Sequence, residues 1–246
     1  MLDRVTTLDV LREGEIEVVG RIVGSSNNAM LVTMTRVCPD LVQEPVQTLD
    51  AVYKPIRGER PLNDFPDGTL ARREVAAWHV SEASGWGIVP PTVLREGPFG
   101  EGMVQSFVEA DPEVDVVAMV LEDDPRLRRM AVLDAVMNNT DRKGGHILPV
   151  DGGRQIHGVD HGVCFSPVPK LRTVLWGWRG QPLAPDELEG LGRIRAALDG
   201  DLGATLRTLL SRTEVRATVR RTDELIALGC FPFPSPTWPA VPWPPF

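Results

Sequence analysis

The stretch VMNNTDRKGGHILPV, Val136–Val150, follows an apolar, helix-like run and precedes a short apolar one. The six positions from Asp141 to His146 hold an acid, two bases, two glycines and a histidine. A connection between elements needs only one or two turn residues. The stretch is therefore either an ordinary polar turn or a loop that handles charge, and what flanks it decides.

Immediately upstream, RLRRMAVLDAVMN reads as a helix starting near Pro125, with Leu127, Met130, Ala131, Leu133, Val136 and Met137 on its apolar face. Downstream, RQIHGVD and GVCF read as short strands, followed by helices over Pro185–Leu198, Asp201–Leu210 and Thr213–Leu228. The end of the chain, CFPFPSPTWPAVPWPPF, holds seven prolines and is neither helix nor central strand. Its aromatic residues favour a strap packed on the body, and it is also a candidate docking element for a partner.

The first half reads differently. EIEVVGRIV (Glu15–Val23) and AMLVTMTRV (Ala29–Val37) are rich in β-branched residues and flank GSSNN, a hairpin signal. TLDAVYKPI makes a third strand, ended at Pro55; GIVPPTVLREG and GMVQSFVEA make two more. Between them, Thr69 is a plausible N-cap for the helix LARREVAAWHVSEAS, with Gly85 as its stop. The fold class expected is α+β in two lobes. The N-lobe, residues 1–112, is an antiparallel sheet with one helix; the C-lobe, 113–230, is mainly helical; and 231–246 form a proline-rich tail.

At 246 residues the chain is long enough to bury a full core, and its 42% hydrophobic and 24% charged content is ordinary for a globular protein. No apolar run approaches the roughly 20 residues that span a bilayer. MLDRVTTLDVLREGEIEV has no apolar core of a signal peptide. Three scattered cysteines fit a reducing compartment, so a cytoplasmic location is expected. The net charge of −8 argues against nucleic acid and anionic membranes as partners. The basic runs RLRRM and RATVRR read as solvated helix faces. No GxSxG elbow points to a serine hydrolase. His146, His157, His161 and Cys164 fit no common zinc spacing.

With these limits set, the charged loop acquires partners. Asp141 is followed five residues later by His146, and fourteen after that by Asp160. Upstream, the hairpin turn Gly24, Ser25, Ser26, Asn27 precedes Lys54 at a strand end, and Glu74 lies on the next helix. That order matches a kinase-like phosphoryl-transfer site. Nucleotide phosphates need a lysine, whose flexible stem needs a carboxylate to hold it. A hard cation such as Mg²⁺ needs oxygen ligands, which Asp160 supplies. The attacking hydroxyl needs an oriented acceptor, Asp141. Lys143 is placed to offset charge on the transferred group. A small polar turn at Gly24–Asn27 offers backbone N–H groups to phosphate.

Around these residues, LDAVMNNTDRKGGHILPV and GVDHGVCF resemble the catalytic and metal loops of phosphatidylinositol 3-/4-kinase-like proteins, whose patterns run like N-T-D-R-x-x-x-N and I-D-F-G. The whole chain, including VYKPIRGERPLNDFPDGTLARREVAA and LRTVLWGW, resembles a largely actinobacterial family with distant similarity to those lipid kinases. The resemblance implies a two-lobed protein-kinase-like fold that binds ATP with Mg²⁺ or Mn²⁺. Lys54 would hold phosphate and Glu74 would pair with it. Asp141 would be the catalytic acid–base residue, Lys143 its neighbour, and Asp160 the metal ligand. MVQSFVE, with Gln105 and Phe107, would be the hinge strand whose backbone faces adenine.

His146 stands where that pattern has asparagine. Imidazole suits Mn²⁺ or Zn²⁺ better than Mg²⁺, so His146 either ligates a metal, hydrogen-bonds a phosphate, or does neither. The function expected is transfer of the γ-phosphoryl group of ATP to a hydroxyl on a protein or small molecule. A pseudokinase that binds nucleotide or a partner, and an adenylyltransferase on the same fold, are the alternatives.

Overall fold

A computed structural model describes residues 2–22, 28–38 and 46–246. The expected phosphate turn at Gly24, Ser25, Ser26 and Asn27 lies outside them. The chain divides into two compact units, residues 1–75 with 90–108, and residues 76–89 with 109–246.

The first unit is built on a five-stranded antiparallel sheet of order β1-β2-β3-β5-β4. Its strands are β1 (Glu15–Arg21), β2 (Met30–Val37), β3 (Val46–Pro55), β4 (Thr92–Gly97) and β5 (Gly100–Ser106). Alternation along β2 and β3 sends Val32, Met34, Ala51 and Tyr53 to one face, where they are fully buried with Val104. On them lies helix α1 (Arg4–Glu13), through Val10 and Leu11. The sequence reading had one helix in this half, and α1 makes a second. Its signals were a start at Asp3, whose carboxylate accepts from Val5 N and Thr6 N, and apolar residues that meet the sheet. Its exposed end is held by Arg95 of β4, whose Nη1 donates to Leu11 O and Gly14 O.

Helix α2 (Leu70–Ser84) gives its first residues to the first unit and its remainder to the second. Thr69 takes the N-cap position, its carbonyl accepting from Arg73 N, but its hydroxyl donates to Pro66 O. The free amides of Leu70 and Ala71 are met instead by the carboxylate of Glu59, 3.1 and 2.8 Å away. A carboxylate answers both the unpaired amides and the positive end of the helix.

The second unit holds α3 (Val116–Leu121), α4 (Pro125–Met137), a hairpin of β6 (Ile147–Val150) with β7 (Gln155–Gly158), and helices α5 (Pro185–Leu198), α6 (Asp201–Leu209) and α7 (Arg212–Leu228). The six residues assigned to the apolar face of α4 are all buried. Helix α7 packs on α4, α5 and α6. GVCF is not a strand: the chain turns at Gly162 and Val163, and Phe165 adopts φ 70°, which breaks an extended run. The basic runs are also not simply solvated. Arg128 is 13% exposed, pairs with Glu187 at 2.8 Å and lies 4.7 Å from the Phe231 ring. Arg221 donates to Val136 O and Ser166 O, and burial pushes its pKa down to about 10. Both are internal braces, because arginine reaches carbonyls that the apolar neighbours cannot satisfy.

Candidate functional site

In the first unit, β3 carries Lys54 and α2 carries Glu74. Lys54 Nζ lies 2.7 Å from Glu74 Oε1, with the glutamate side chain 2% and the lysine side chain 17% exposed. A carboxylate so buried needs a cation, since an unpaired one costs several kcal/mol (of order 3–5 when one partner of a buried pair is removed). Lys54 sits opposite Met103 in the β3–β5 register, which fixes its side. Beside it, Gln105 Nε2 donates to the Thr92 hydroxyl at 2.8 Å, so this side chain is engaged within the sheet. Phe107 is 42% exposed and its N–H donates to Asp50 O.

In the second unit the charged loop is anchored from inside. Helix α4 ends on Asn138 in the left-handed conformation, φ 52°, and the side-chain amide of Asn138 donates to Ser166 O and Val168 O. Asn139 bonds Asp134 on α4 and accepts from the Asp141 amide. Arg142 then turns inward. Its Nε and Nη2 each lie 2.9 Å from a different oxygen of Asp134, a bidentate pair with both side chains fully buried. Its Nη1 donates to His146 O and Val159 O, and its Nη2 lies 2.6 Å from His161 Nε2. Burial opposes the guanidinium charge, and Asp134 outweighs it, so the pKa of Arg142 is raised. One side chain thus ties α4, the loop and the segment after β7 together.

With Arg142 turned in, Asp141 and Lys143 on either side are partly exposed, their charged atoms 3.0 Å apart. The β6–β7 hairpin returns the chain so that Val159 N donates to His146 O, and His146 Nε2 comes 3.4 Å from Asp160 Oδ2. Burial pushes the His146 pKa below the ordinary histidine value; Arg142 and Lys143 act the same way, against Asp160 and Asp141. The imidazole is therefore neutral at neutral pH, and its contact with Asp160 is not an ion pair. Asp160 itself is in the left-handed region at φ 60°, with its side chain 40% exposed. A non-glycine residue persists there only when its surroundings hold it.

The second unit therefore brings Asp141, Lys143, His146 and Asp160 onto one loop pair, and the first brings Lys54 and Glu74 together. Arg142, which from the sequence could be a cap or an ion pair beside Asp141, instead pairs with Asp134 on α4. A lone carboxylate between Leu133 and Ala135, inside an otherwise apolar helix face, was the available signal.

The donor set suits a hard cation held by few protein ligands. Two ligands each ~2.1 Å from one ion and adjacent around it stand about 3 Å apart, near the Asp160–His146 spacing. No group of three or more His, Cys, Asp or Glu gathers among the described residues. Mg²⁺ is ordinarily held by one or two carboxylates together with substrate phosphates and water, so Asp160 fits that role. His146 Nδ1 is buried with no hydrogen-bond partner, which means the ring lacks the acceptor that usually orients a ligating imidazole.

Similar architecture occurs in solved kinase structures. The Helicobacter pylori proinflammatory kinase CtkA superposes with a TM-score of 0.53, at 14% identity over 87% of this chain and 92% of that one. Hydra Fam20, in a structure with sugar, superposes with a TM-score of 0.56, at 14% identity over 93% and 89%. The chain therefore has an α+β protein-kinase-like fold. It belongs to the same family as Protein Rv2133c of Mycobacterium tuberculosis, with which it is 40% identical over 96% of this chain and 94% of the relative. No family model matches the sequence. No helix among the described residues is long and apolar enough to cross a membrane.

Proposed function

We propose that this protein is an ATP-dependent phosphotransferase that moves the γ-phosphoryl group to a hydroxyl acceptor, a protein or a small molecule. The observation that carries the reading is the buried Lys54–Glu74 pair at 2.7 Å. A buried ion pair adds little to stability compared with apolar residues of the same size. Holding a lysine ammonium fixed and partly exposed is of use to a phosphate ligand.

In this reading Asp160 holds Mg²⁺ or Mn²⁺, which when bound neutralises phosphate charge. Lys54 binds the phosphates. Asp141 accepts a hydrogen bond from the acceptor hydroxyl and orients it, and Lys143 offsets charge on the transferred phosphoryl group. Gln105 and Phe107 flank the strand that would face adenine. Catalysis then comes from positioning and electrostatics more than from covalent chemistry.

The test is ATP titration followed by thermal unfolding, with Mg²⁺ and with Mn²⁺. At about 100 times the dissociation constant, binding to the native state adds roughly 2.7 kcal/mol. A metal-dependent shift that disappears in Asp160→Ala is expected, together with γ-labelled product formation that disappears in Asp141→Asn. No shift with any nucleotide or metal sinks the reading. His146, in the position of a usual asparagine, favours a second reading: a pseudokinase that binds nucleotide without turnover. ATP binding with no labelled product under any acceptor would select it, and label retained at the α-phosphate would select adenylyl transfer.

A further inference from the structure

After α7 the chain does not run off into solvent. Phe231 is buried and exchanges backbone hydrogen bonds with Gly180 and Gln181. The last residues then lie along the segment that follows Asp160. Ala240 O accepts from Thr173 N at 3.1 Å and from Trp176 Nε1 at 2.8 Å, and Lys170 Nζ stands 4.3 Å over the Trp238 ring. That same segment bonds the charged loop on its other side: Arg142 N donates to Arg172 O and Val174 N to Arg142 O. At the end of the chain, Pro245 O accepts from Gly144 N at 2.8 Å. Phe246 lies so close to Gly144 that a Cβ there would come within 2.0 Å of its ring. The C-terminus is thus seated on the loop three residues from Asp141 and next to Lys143.

Two features separate this strap from a simple structural cover. First, its two outermost aromatic side chains leave half or more of their surface in solvent: Trp243 is 85% exposed and Phe246 52%. A segment kept for stability would bury them. Second, its bonds to the loop and to Thr173 and Trp176 are made through its own carbonyls, which any extended polypeptide possesses. The nine residues WPAVPWPPF, 238–246, contain no serine, threonine, tyrosine or charge. Beside a loop whose work is to orient a hydroxyl, they offer none.

We propose, resting on the phosphotransferase reading, that residues 238–246 occupy the acceptor groove as a displaceable mimic of the substrate. The acceptor is therefore an extended polypeptide, and the chain is self-inhibited until the strap leaves. No covalent bond is made to the strap. It excludes the acceptor by occupying the Gly144 amide and the Thr173–Trp176 edge.

Three proteins test this: the full chain, a chain ending at Thr237, and the full chain with Phe246→Ala. Each is measured for Mg²⁺–ATP binding and for γ-phosphoryl transfer to a degenerate Ser/Thr/Tyr peptide library. A strap closed in about nine molecules of ten lowers the apparent rate about tenfold. Truncation should therefore raise transfer by about that factor with ATP affinity unchanged, and Phe246→Ala should raise it less. The synthetic peptide WPAVPWPPF should restore inhibition, competing with the acceptor peptide and not with ATP.

Unchanged or lower transfer in a truncated chain that still binds ATP overturns the proposal, as does ATP binding without transfer by any of the three. Faster transfer to sugars or other small hydroxyls alone refutes the polypeptide acceptor while leaving the kinase reading intact. Failure of all three to bind ATP removes the kinase reading and this inference with it. If the truncated chain does not fold by circular dichroism, the Phe246→Ala rate and the added peptide decide.

Discussion

Arg142 shows how a residue that reads as surface chemistry can be architecture. Next to an aspartate in a polar loop, it looks like half of a local ion pair. It is in fact fully buried, forked onto Asp134 and bonded to the carbonyls of His146 and Val159. Arg142→Ala should cost about 3–5 kcal/mol, because Asp134 is left as an uncompensated buried charge. Chemical denaturation reads it, and Asp134→Asn together with Arg142→Met should recover part of the loss. His157 gives a second test. Burial pushes its pKa below the ordinary value, against the hydrogen bonds its ring makes to the backbone at Ile88 and Gly87. The unfolded chain then binds more protons than the folded one between the two pKa values. The stability this residue contributes is complete above about 6.5 and declines as pH falls below it. The melting temperature should fall between pH 7.5 and 5.5, and His157→Gln should flatten that slope. The candidates Lys54, Glu74, Asp141 and Asp160 could be picked out in the sequence because each combines a charge with a place in the order of elements, and the role proposed for each rests on that order. The inward turn of Arg142 was not, because one-dimensional spacing says nothing about which of two neighbouring side chains faces the core.

At the scale of elements, the strands β2, β3 and β5 and the helices α4, α5 and α7 were read from period and composition, since alternation and the 3.6-residue repeat survive in the sequence. Helix α1 was not. Its apolar residues Val10 and Leu11 make a face only against the sheet beneath them. GVCF failed for the opposite reason: β-branched and aromatic character suggested a strand, while the backbone turns to serve the loop at Asp160. Helix caps carry the sharpest element-level prediction. On α7, Ser211 accepts from Glu214 N while the Glu214 carboxylate accepts from Ser211 N, a reciprocal pair. Ser211→Ala should cost about 1 kcal/mol, seen as a lower denaturation midpoint with an unchanged slope. On α2 the cap is supplied from a distance by Glu59, eleven residues before Leu70, a solution that local capping rules do not anticipate.

At the scale of the molecule, the two units interleave along the chain. Residues 76–89 belong with 109–246 although the strands β4 and β5 intervene. Ile88 O accepts from Gly158 N, and Ser84 O accepts from Arg193. A fragment of residues 109–246 lacks these partners. It should show no cooperative thermal transition, where the full chain shows one. With a net charge of −8, the full chain should also leave double-stranded DNA unshifted in a gel at physiological salt. The contact between Gly144 and Pro245 has a consequence in time as well as in space. Synthesis is vectorial, so the loop around Asp141 leaves the ribosome well before Pro245 does. The Gly144 amide is therefore made first, and it meets the Pro245 carbonyl only once α5, α6 and α7 have been made between them.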